Sequence, residues 1–188
     1  GILVVFGSAC LIAVHFGMQE TVDRNTATRL NFASVLKTYR DLMRDKHFLT
    51  YLLCGGLASA GMFAYIAGSP FVLIERYGLS TQQYGWVFGV NAAGLIAASQ
   101  VNARLLAHFS AERILGYAVL VPALGGSILL ILTLFGMTGL PILLPVLFLP
   151  LTSLGFSSPN AAALALQHQG RRAGAASALM GTLQLSLA

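Results

Sequence analysis

The chain has 188 residues, of which 56% are hydrophobic and 9% charged, and it carries a formal net charge of +5. An ordinary soluble domain has roughly 25% charged residues, and a chain of this size could not bury so much apolar surface and keep a wettable exterior. Composition therefore excludes a soluble globular domain and points to work inside a lipid bilayer, while the basic excess fits the positive-inside bias and calls for no nucleic-acid partner.

The first segment, 1–18, opens on the apolar run Gly1-Ile-Leu-Val-Val5. It has no Met start, basic n-region or small-residue cleavage site, so it reads as a membrane helix rather than a signal peptide. Because the chain opens and closes on apolar residues, it is expected to be truncated at both ends. Residues 19–47 hold six of the eleven basic residues. Within them Phe32, Val35, Leu36, Tyr39, Leu42 and Met43 recur at helical spacing, with Asn31 as a candidate N-cap. Lys37, Arg40, Arg44 and Lys46 occupy the other faces, with Asp41 and Asp45 nearby. This predicts an amphipathic helix on the cytoplasmic membrane surface. A docking site for a soluble partner is the alternative.

Beyond residue 47, no Asp, Glu, Lys or Arg occurs over 48–74, 77–103 or 114–168. A helix needs about 20 apolar residues to cross the hydrocarbon core, so these stretches suffice for one, one and two crossings. Counting 1–18 as the first, the further predicted spans are 48–74, 82–103, 114–136, 140–165 and 173–188, with Gly136-Met-Thr-Gly-Leu-Pro141 breaking the fourth from the fifth. The continuous apolar run Ile128–Phe135 lacks the alternation of a barrel strand, which leaves helix as the spanning structure. The fold class is all-α, a polytopic transmembrane helical bundle. Basic and charge-poor connections alternate in step with the spans, which places loops 19–47, 104–113 and 166–172 in the cytoplasm.

Catalytic and metal chemistry find no footing. Cys10 and Cys54 fall within spans without a CxxC, and His15, His47, His108 and His168 are scattered. A membrane-embedded enzyme would need a constellation of His, Asp, Glu or Cys, and the chain is read as no enzyme, with no metal and no cofactor. A structural subunit is the remaining alternative of another class.

Several stretches together carry a family resemblance. They are Tyr65-Ile-Ala-Gly-Ser-Pro-Phe-Val-Leu-Ile-Glu75, Gln83-Tyr-Gly-Trp-Val-Phe-Gly-Val-Asn91, Ser99-Gln-Val-Asn-Ala-Arg104, Ser158-Pro-Asn-Ala-Ala-Ala163 and Arg171-Arg-Ala-Gly-Ala-Ala-Ser177. In this order the pattern resembles the C-terminal half of a major facilitator superfamily transporter of the Bcr/CflA drug-resistance group, over nearly the whole chain. The resemblance implies a twelve-helix carrier. Residues 1–18 would be the last helix of its N-terminal half, 19–47 its central linker, and 48–188 its seventh to eleventh helices. It puts the family's gating loop at Asn102, Arg104 and Arg113, although the usual Gly and Asp at its start are not matched.

In transporters of this build the substrate lies near the midplane, where Gly and Pro interrupt the helices. The second span has Gly55, Gly56, Gly61, Gly68 and Pro70, and the fifth has Pro141, Pro145, Pro150, Gly155 and Pro159. Tyr51, Ser59, Met62, Tyr65 and Ser69 fall on one face of the second span, as do Thr152, Phe156 and Asn160 on the fifth. With Asn91, they form the candidate cavity for amphipathic cations or neutral drugs. The alternative is that they pack or bond the bundle.

The implied function is proton-coupled export of drug-like molecules across the bacterial inner membrane, with a proton gradient as the energy source. The implied partners are the lipid bilayer, an amphipathic drug substrate and the N-terminal half of the same chain, without which this piece would be inactive. No span has an ionisable residue at its middle, so the coupling carboxylate is expected upstream. A facilitator or importer of a small metabolite with the same fold stays open.

Overall fold

The computed structural model describes residues 2–17, 32–137 and 139–187. The candidate cap Asn31, the first part of the linker and Thr138 lie outside the described residues. The chain divides into two units, Gly1–Ser34 and Val35–Ala188. In the first, α1 (Ile2–Gly17) is apolar and free of formal charge apart from His15 in its last turn.

The second unit is a helical bundle whose breaks follow from its capping residues, glycines and prolines. Helix α2 (Phe32–Arg44) is separated by Asp45 alone from α3 (Lys46–Pro70). Asp45 is extended, and its carboxylate accepts from the amides of His47 and Phe48 at 3.0 and 3.2 Å, which caps α3. Pro70 has no N–H for the helical ladder. Beyond it the helix widens into a π-helical segment, Phe71–Arg76, closed by the Tyr77 amide on the Val72 carbonyl at 3.1 Å. Gly78 then takes φ +72°, a conformation that favours glycine, and stops the helix.

Ser80 opens α4 (Thr81–Leu105) with a reciprocal capping box: its hydroxyl accepts from the Gln83 amide, and the Gln83 side chain accepts from the Ser80 amide. The predicted span 114–136 corresponds to one helical stretch, Ala111–Leu134, which a break at Val119 divides into α5 (Ala111–Ala118) and α6 (Leu120–Leu134). Pro122 explains the break, because a proline ring clashes with the carbonyl four residues before it, here that of Ala118. The last long helix, α7 (Leu140–Leu166), carries Pro145, Pro150 and Pro159 inside it. A 3₁₀ turn, Gly170–Arg172, leads to α8 (Ala173–Leu187).

Helix α7 is the centre of the bundle, packed against α3, α4, α5 and α6, while α8 packs chiefly on α3. Glycine sets the closest crossing. A Cβ on Gly155 would stand 2.6 Å from the Leu95 carbonyl oxygen and 2.7 Å from the Ala98 Cβ, so α4 and α7 meet at backbone distance there. At one end, Leu42, Phe48, Leu52, Ala165, Ala176 and Met180 form a buried apolar cluster joining α2, α3, α7 and α8. Elsewhere large apolar side chains such as Phe71, Leu124, Leu130 and Ile131 face outward, as they do where lipid is the solvent. Among the described residues three helical stretches are long and apolar enough to cross a membrane: Lys46–Arg76, Ala111–Leu134 and Leu140–Leu166. The protein is a membrane-embedded, multi-pass helical bundle.

Candidate functional site

Two polar constructions hold the bundle together in its apolar region. The first joins α3 to α4. Tyr65 and Ser69 are one turn apart on α3, and Tyr84, Phe88 and Asn91 follow at four- and three-residue steps on α4. The Asn91 side-chain amide donates to the Tyr65 hydroxyl at 2.6 Å, and the Ser69 and Tyr84 hydroxyls share a hydrogen bond of 3.0 Å. Between them the Phe88 ring stacks on Tyr65, 19° from parallel at 6.2 Å, and tilts against Tyr84 at 6.1 Å. Ser69 and Asn91 are buried. A polar group in such surroundings costs several kcal/mol unless it is paired, so these bonds fix the orientation of the Tyr65 ring as well as joining the helices.

Tyr65 and Ser69 also border a cavity of about 790 Å³ between α3, α6 and α7. Its walls are mostly apolar: Leu57 and Met62 from α3, Gly126 and Leu129 from α6, and Leu147, Pro150 and Leu154 from α7. The few polar groups are Tyr65, Ser69, Thr133 and Ser157, with Arg76 and Tyr77 also on the lining. A large apolar chamber with a small number of placed hydroxyls is the usual build of a small-molecule site, for which about 300–1,000 Å³ is typical.

The second construction joins α4 to α7. The Asn160 side-chain amide donates to Asn102 Oδ1 at 2.8 Å and to its own helix at the Phe156 carbonyl, also at 2.8 Å. Both asparagines are buried. Nearby, the Thr152 hydroxyl is buried without a partner among the described residues, and a Cβ on Gly94 would stand 2.6 Å from it. A second cavity, of about 630 Å³, opens beside these groups, lined by Leu105, Phe109, Arg113, Tyr117, Thr152 and Phe156 among others.

The structure divides the residues singled out from sequence. Met62, Tyr65 and Ser69 gather on the first cavity, and Asn91 reaches it through Tyr65. Ser59 is absent from that lining. Tyr51 lies at the end of the bundle, its ring 4.8 Å from that of His47. Thr152, Phe156 and Asn160 share a face of α7, but it is turned to α4 and α5, whereas Leu143, Leu147, Pro150, Leu154 and Ser157 of the same helix line the first cavity. Asn102, a gating candidate at the end of the predicted span 82–103, is a buried residue of α4 bonded to α7. Arg104 is exposed in the last turn of α4, and Arg113 is exposed on α5 with its backbone amide on the Ser110 hydroxyl. Tyr84 and Phe88 escaped the sequence reading, although their spacing to Asn91 is the signal that finds them.

At the end where α2 meets α3, Asp45 Oδ2 accepts from the Gln169 side-chain amide at 2.9 Å. That bond, joined by the Phe48 and His47 amides, holds the Asp45 carboxyl below its ordinary range. Arg172 lies 3.9 Å from Asp41. Among the described residues no group of three or more His, Cys, Asp and Glu comes together as metal ligands.

Comparison with known proteins places these features in a wider set. A family model described as Major Facilitator Superfamily matches residues 1–188. The uncharacterized MFS-type transporter YdgK of Bacillus subtilis is 30% identical over 186 residues, covering 99% of this chain and 46% of that protein. A bicyclomycin resistance protein homolog of Haemophilus influenzae is 26% identical over 186 residues, with the same coverage of 99% and 46%. The multidrug resistance protein MdtM of Salmonella typhimurium is 31% identical over 131 residues, or 70% of this chain and 32% of MdtM. The chain thus spans less than half the length of the relatives it matches.

Proposed function

This chain belongs to the major facilitator superfamily, and from that premise we propose that the whole protein is a secondary transporter exporting amphipathic, drug-like molecules across the bacterial inner membrane. The observation that carries the proposal is the apolar cavity of about 790 Å³ with Tyr65 and Ser69 on its wall, both hydroxyls held from α4. Such a chamber recognises shape and apolar area, with weak polar contacts for orientation. Met62 suits it, since a flexible thioether adapts to ligands of different outline. In this reading Met62, Tyr65 and Ser69 touch substrate, Tyr84, Phe88 and Asn91 position Tyr65, and Arg104 and Arg113 belong to a cytoplasmic gate.

The names of two relatives, a bicyclomycin resistance homolog and a multidrug resistance protein, support export as the direction. Proton coupling needs an ionisable group within the membrane. Asp, Glu, Lys and Arg are absent from 48–74, 77–103 and 114–168, so the coupling carboxylate is assigned to the remainder of the protein. Residues 1–18 are read as the last helix of the N-terminal half, 19–47 as the cytoplasmic linker, and 48–188 as the C-terminal transmembrane half.

The test is drug susceptibility of an efflux-deficient bacterium expressing the complete reading frame, with and without a protonophore. Protonophore-sensitive resistance to several unrelated compounds, reduced by Tyr65→Ala, is the expected result. Full membrane expression with no resistance would transfer the proposal to uptake of a metabolite by the same fold.

A second reading of the cavity rests on Gly61, Gly68 and Gly126, where a Cβ would meet nothing within 4 Å. Small-residue walls also receive helices, and a further transmembrane helix of the whole protein would fit between α3 and α6. Thiol labelling of Met62→Cys in a cysteine-free background separates the two. Drug-dependent protection supports a substrate site, and blockage without drug supports a helix.

A further inference from the structure

Helix α2 presents two apolar surfaces, and the bundle uses one of them. At about 100° per residue, Val35, Tyr39 and Leu42 fall together. There Leu42 is fully buried in the cluster with Phe48 and Met180, and Tyr39 packs against it. Leu36 and Met43, seven residues apart, form the adjoining stripe, and they remain 61% and 44% exposed. Farther round come Arg40, Arg44 and Lys37, all exposed. Among the described residues none of the three pairs with a carboxylate. Asp41 follows next round the helix, past Lys37, where it lies 3.9 Å from Arg172. The circuit therefore runs from buried apolar to exposed apolar to cationic to acidic.

Position decides what this face meets. Asp45 alone separates α2 from the stretch Lys46–Arg76, which is long and apolar enough to cross a membrane. The contacts of Leu42 with the bundle, and of Asp45 with Gln169, hold α2 at the end of that stretch. A helix kept at the bilayer surface, with an uncovered apolar stripe beside a row of unpaired cations, is complementary to acyl chains on one side and anionic headgroups on the other. A soluble acidic partner would be served by the cations but would leave Leu36 and Met43 without a reason to be exposed next to them.

We infer that Leu36, Met43, Lys37, Arg40 and Arg44 form a binding site for anionic phospholipid of the adjacent leaflet. The two apolar side chains enter the acyl boundary and the three cations hold headgroup phosphates. Binding of this kind makes the linker helix a lipid-sensing element, distinct from the cavity and independent of what the cavity transports.

The experiment is native mass spectrometry of the purified chain in mild detergent with dioleoylphosphatidylglycerol or dioleoylphosphatidylcholine. The chain should retain the anionic phosphatidylglycerol in preference. Each cation near the surface contributes about fivefold, so the three together are worth up to about a hundredfold. Lys37→Gln/Arg40→Gln/Arg44→Gln should lose tenfold or more of that preference, and the charge-conserving Lys37→Arg should lose none. Leu36→Gln/Met43→Gln should weaken binding while leaving the salt dependence unchanged. If the triple variant loses its helical circular dichroism, the wild-type chain still decides: raising salt from 50 to 500 mM should cost about tenfold or more. Equal retention of the two lipids, indifference to the triple substitution in a folded variant, salt-independent binding, or displacement of lipid by soluble polyglutamate would each overturn the inference.

Discussion

The asparagine pair between α4 and α7 allows a sharp test of how the bundle is held. Asn160 is 1% and Asn102 3% exposed, so neither is within reach of bulk water. Both protons of the Asn160 amide are used, one on Asn102 Oδ1 and one on the Phe156 carbonyl, each at 2.8 Å. Asn102→Ala removes the inter-helix acceptor and strands one N–H. Asn160→Ala strands Asn102 Oδ1 and also frees the Phe156 carbonyl of its second bond. An unsatisfied buried group costs about 1–3 kcal/mol, while measured inter-helix bonds in membranes average about 0.6 and reach about 1.7 kcal/mol. Each single alanine should therefore destabilise by about 1–2 kcal/mol, Asn160→Ala by the larger amount. The double variant should fall short of the sum by about 0.6–1.7 kcal/mol. Replacing both by leucine should lie closer to wild type than either single change, because no polar group is then left alone. The assay is detergent-denaturant titration of the reconstituted chain, following helical circular dichroism. Additivity within about 0.3 kcal/mol, or a double leucine variant less stable than both singles, would refute the idea that the bond rather than the packing joins these helices.

Other expectations follow from single contacts. Gly155→Ala puts a methyl against the Leu95 carbonyl and should cost about 1–3 kcal/mol. Gly126→Ala, with open space at its Cβ, should be neutral or stabilise by up to about 1 kcal/mol, and thermal melting in detergent compares the two. Asp45 has its carboxyl pKa lowered by folding, so its contribution is complete above the unfolded value and is lost as pH falls below about 4. Asp45→Asn should flatten that acid limb of the melting profile between pH 7 and 3, and an unchanged limb would remove the Gln169 bond from the account. Tyr65→Phe keeps the ring on Phe88 but loses the bond to Asn91, worth about 0.5–1.5 kcal/mol. If positioning of Tyr65 serves transport, resistance conferred by the whole protein should drop about two- to tenfold, and a full loss would mean misfolding instead.

How much of this was legible in the sequence depends on whether a residue's role is local. The helical membrane class reads directly, because three stretches without Asp, Glu, Lys or Arg are long enough to span. The break at Val119 was readable too, since Pro122 acts on the carbonyl four residues back, but a smooth apolar run hid it. Which neighbour the polar face of α7 meets is not a local property. Thr152, Phe156 and Asn160 do share a side, yet the sequence carries no mark of which neighbour that side meets. Thr152 and Phe156 border the second cavity, whereas Asn160 is drawn to another helix, as a polar residue in lipid readily is.

Helix α4 shows the same principle in its strongest form. It has 25 residues and only Arg104 charged, yet it is not among the stretches apolar enough to cross a membrane by composition. Hydropathy charges each residue for standing in hydrocarbon alone. Asn91 and Asn102 do not stand alone: one is bonded to Tyr65, 26 positions earlier, and the other to Asn160, 58 positions later. Their cost is offset by partners that no window along the chain includes. The same two residues end up as the polar links of α4 to α3 and to α7. In α4, too polar to pass as a span by itself but free of charge through its middle, both asparagines have partners elsewhere in the bundle. That combination, read from sequence, marks where inter-helix bonds and the cavity they border are to be sought.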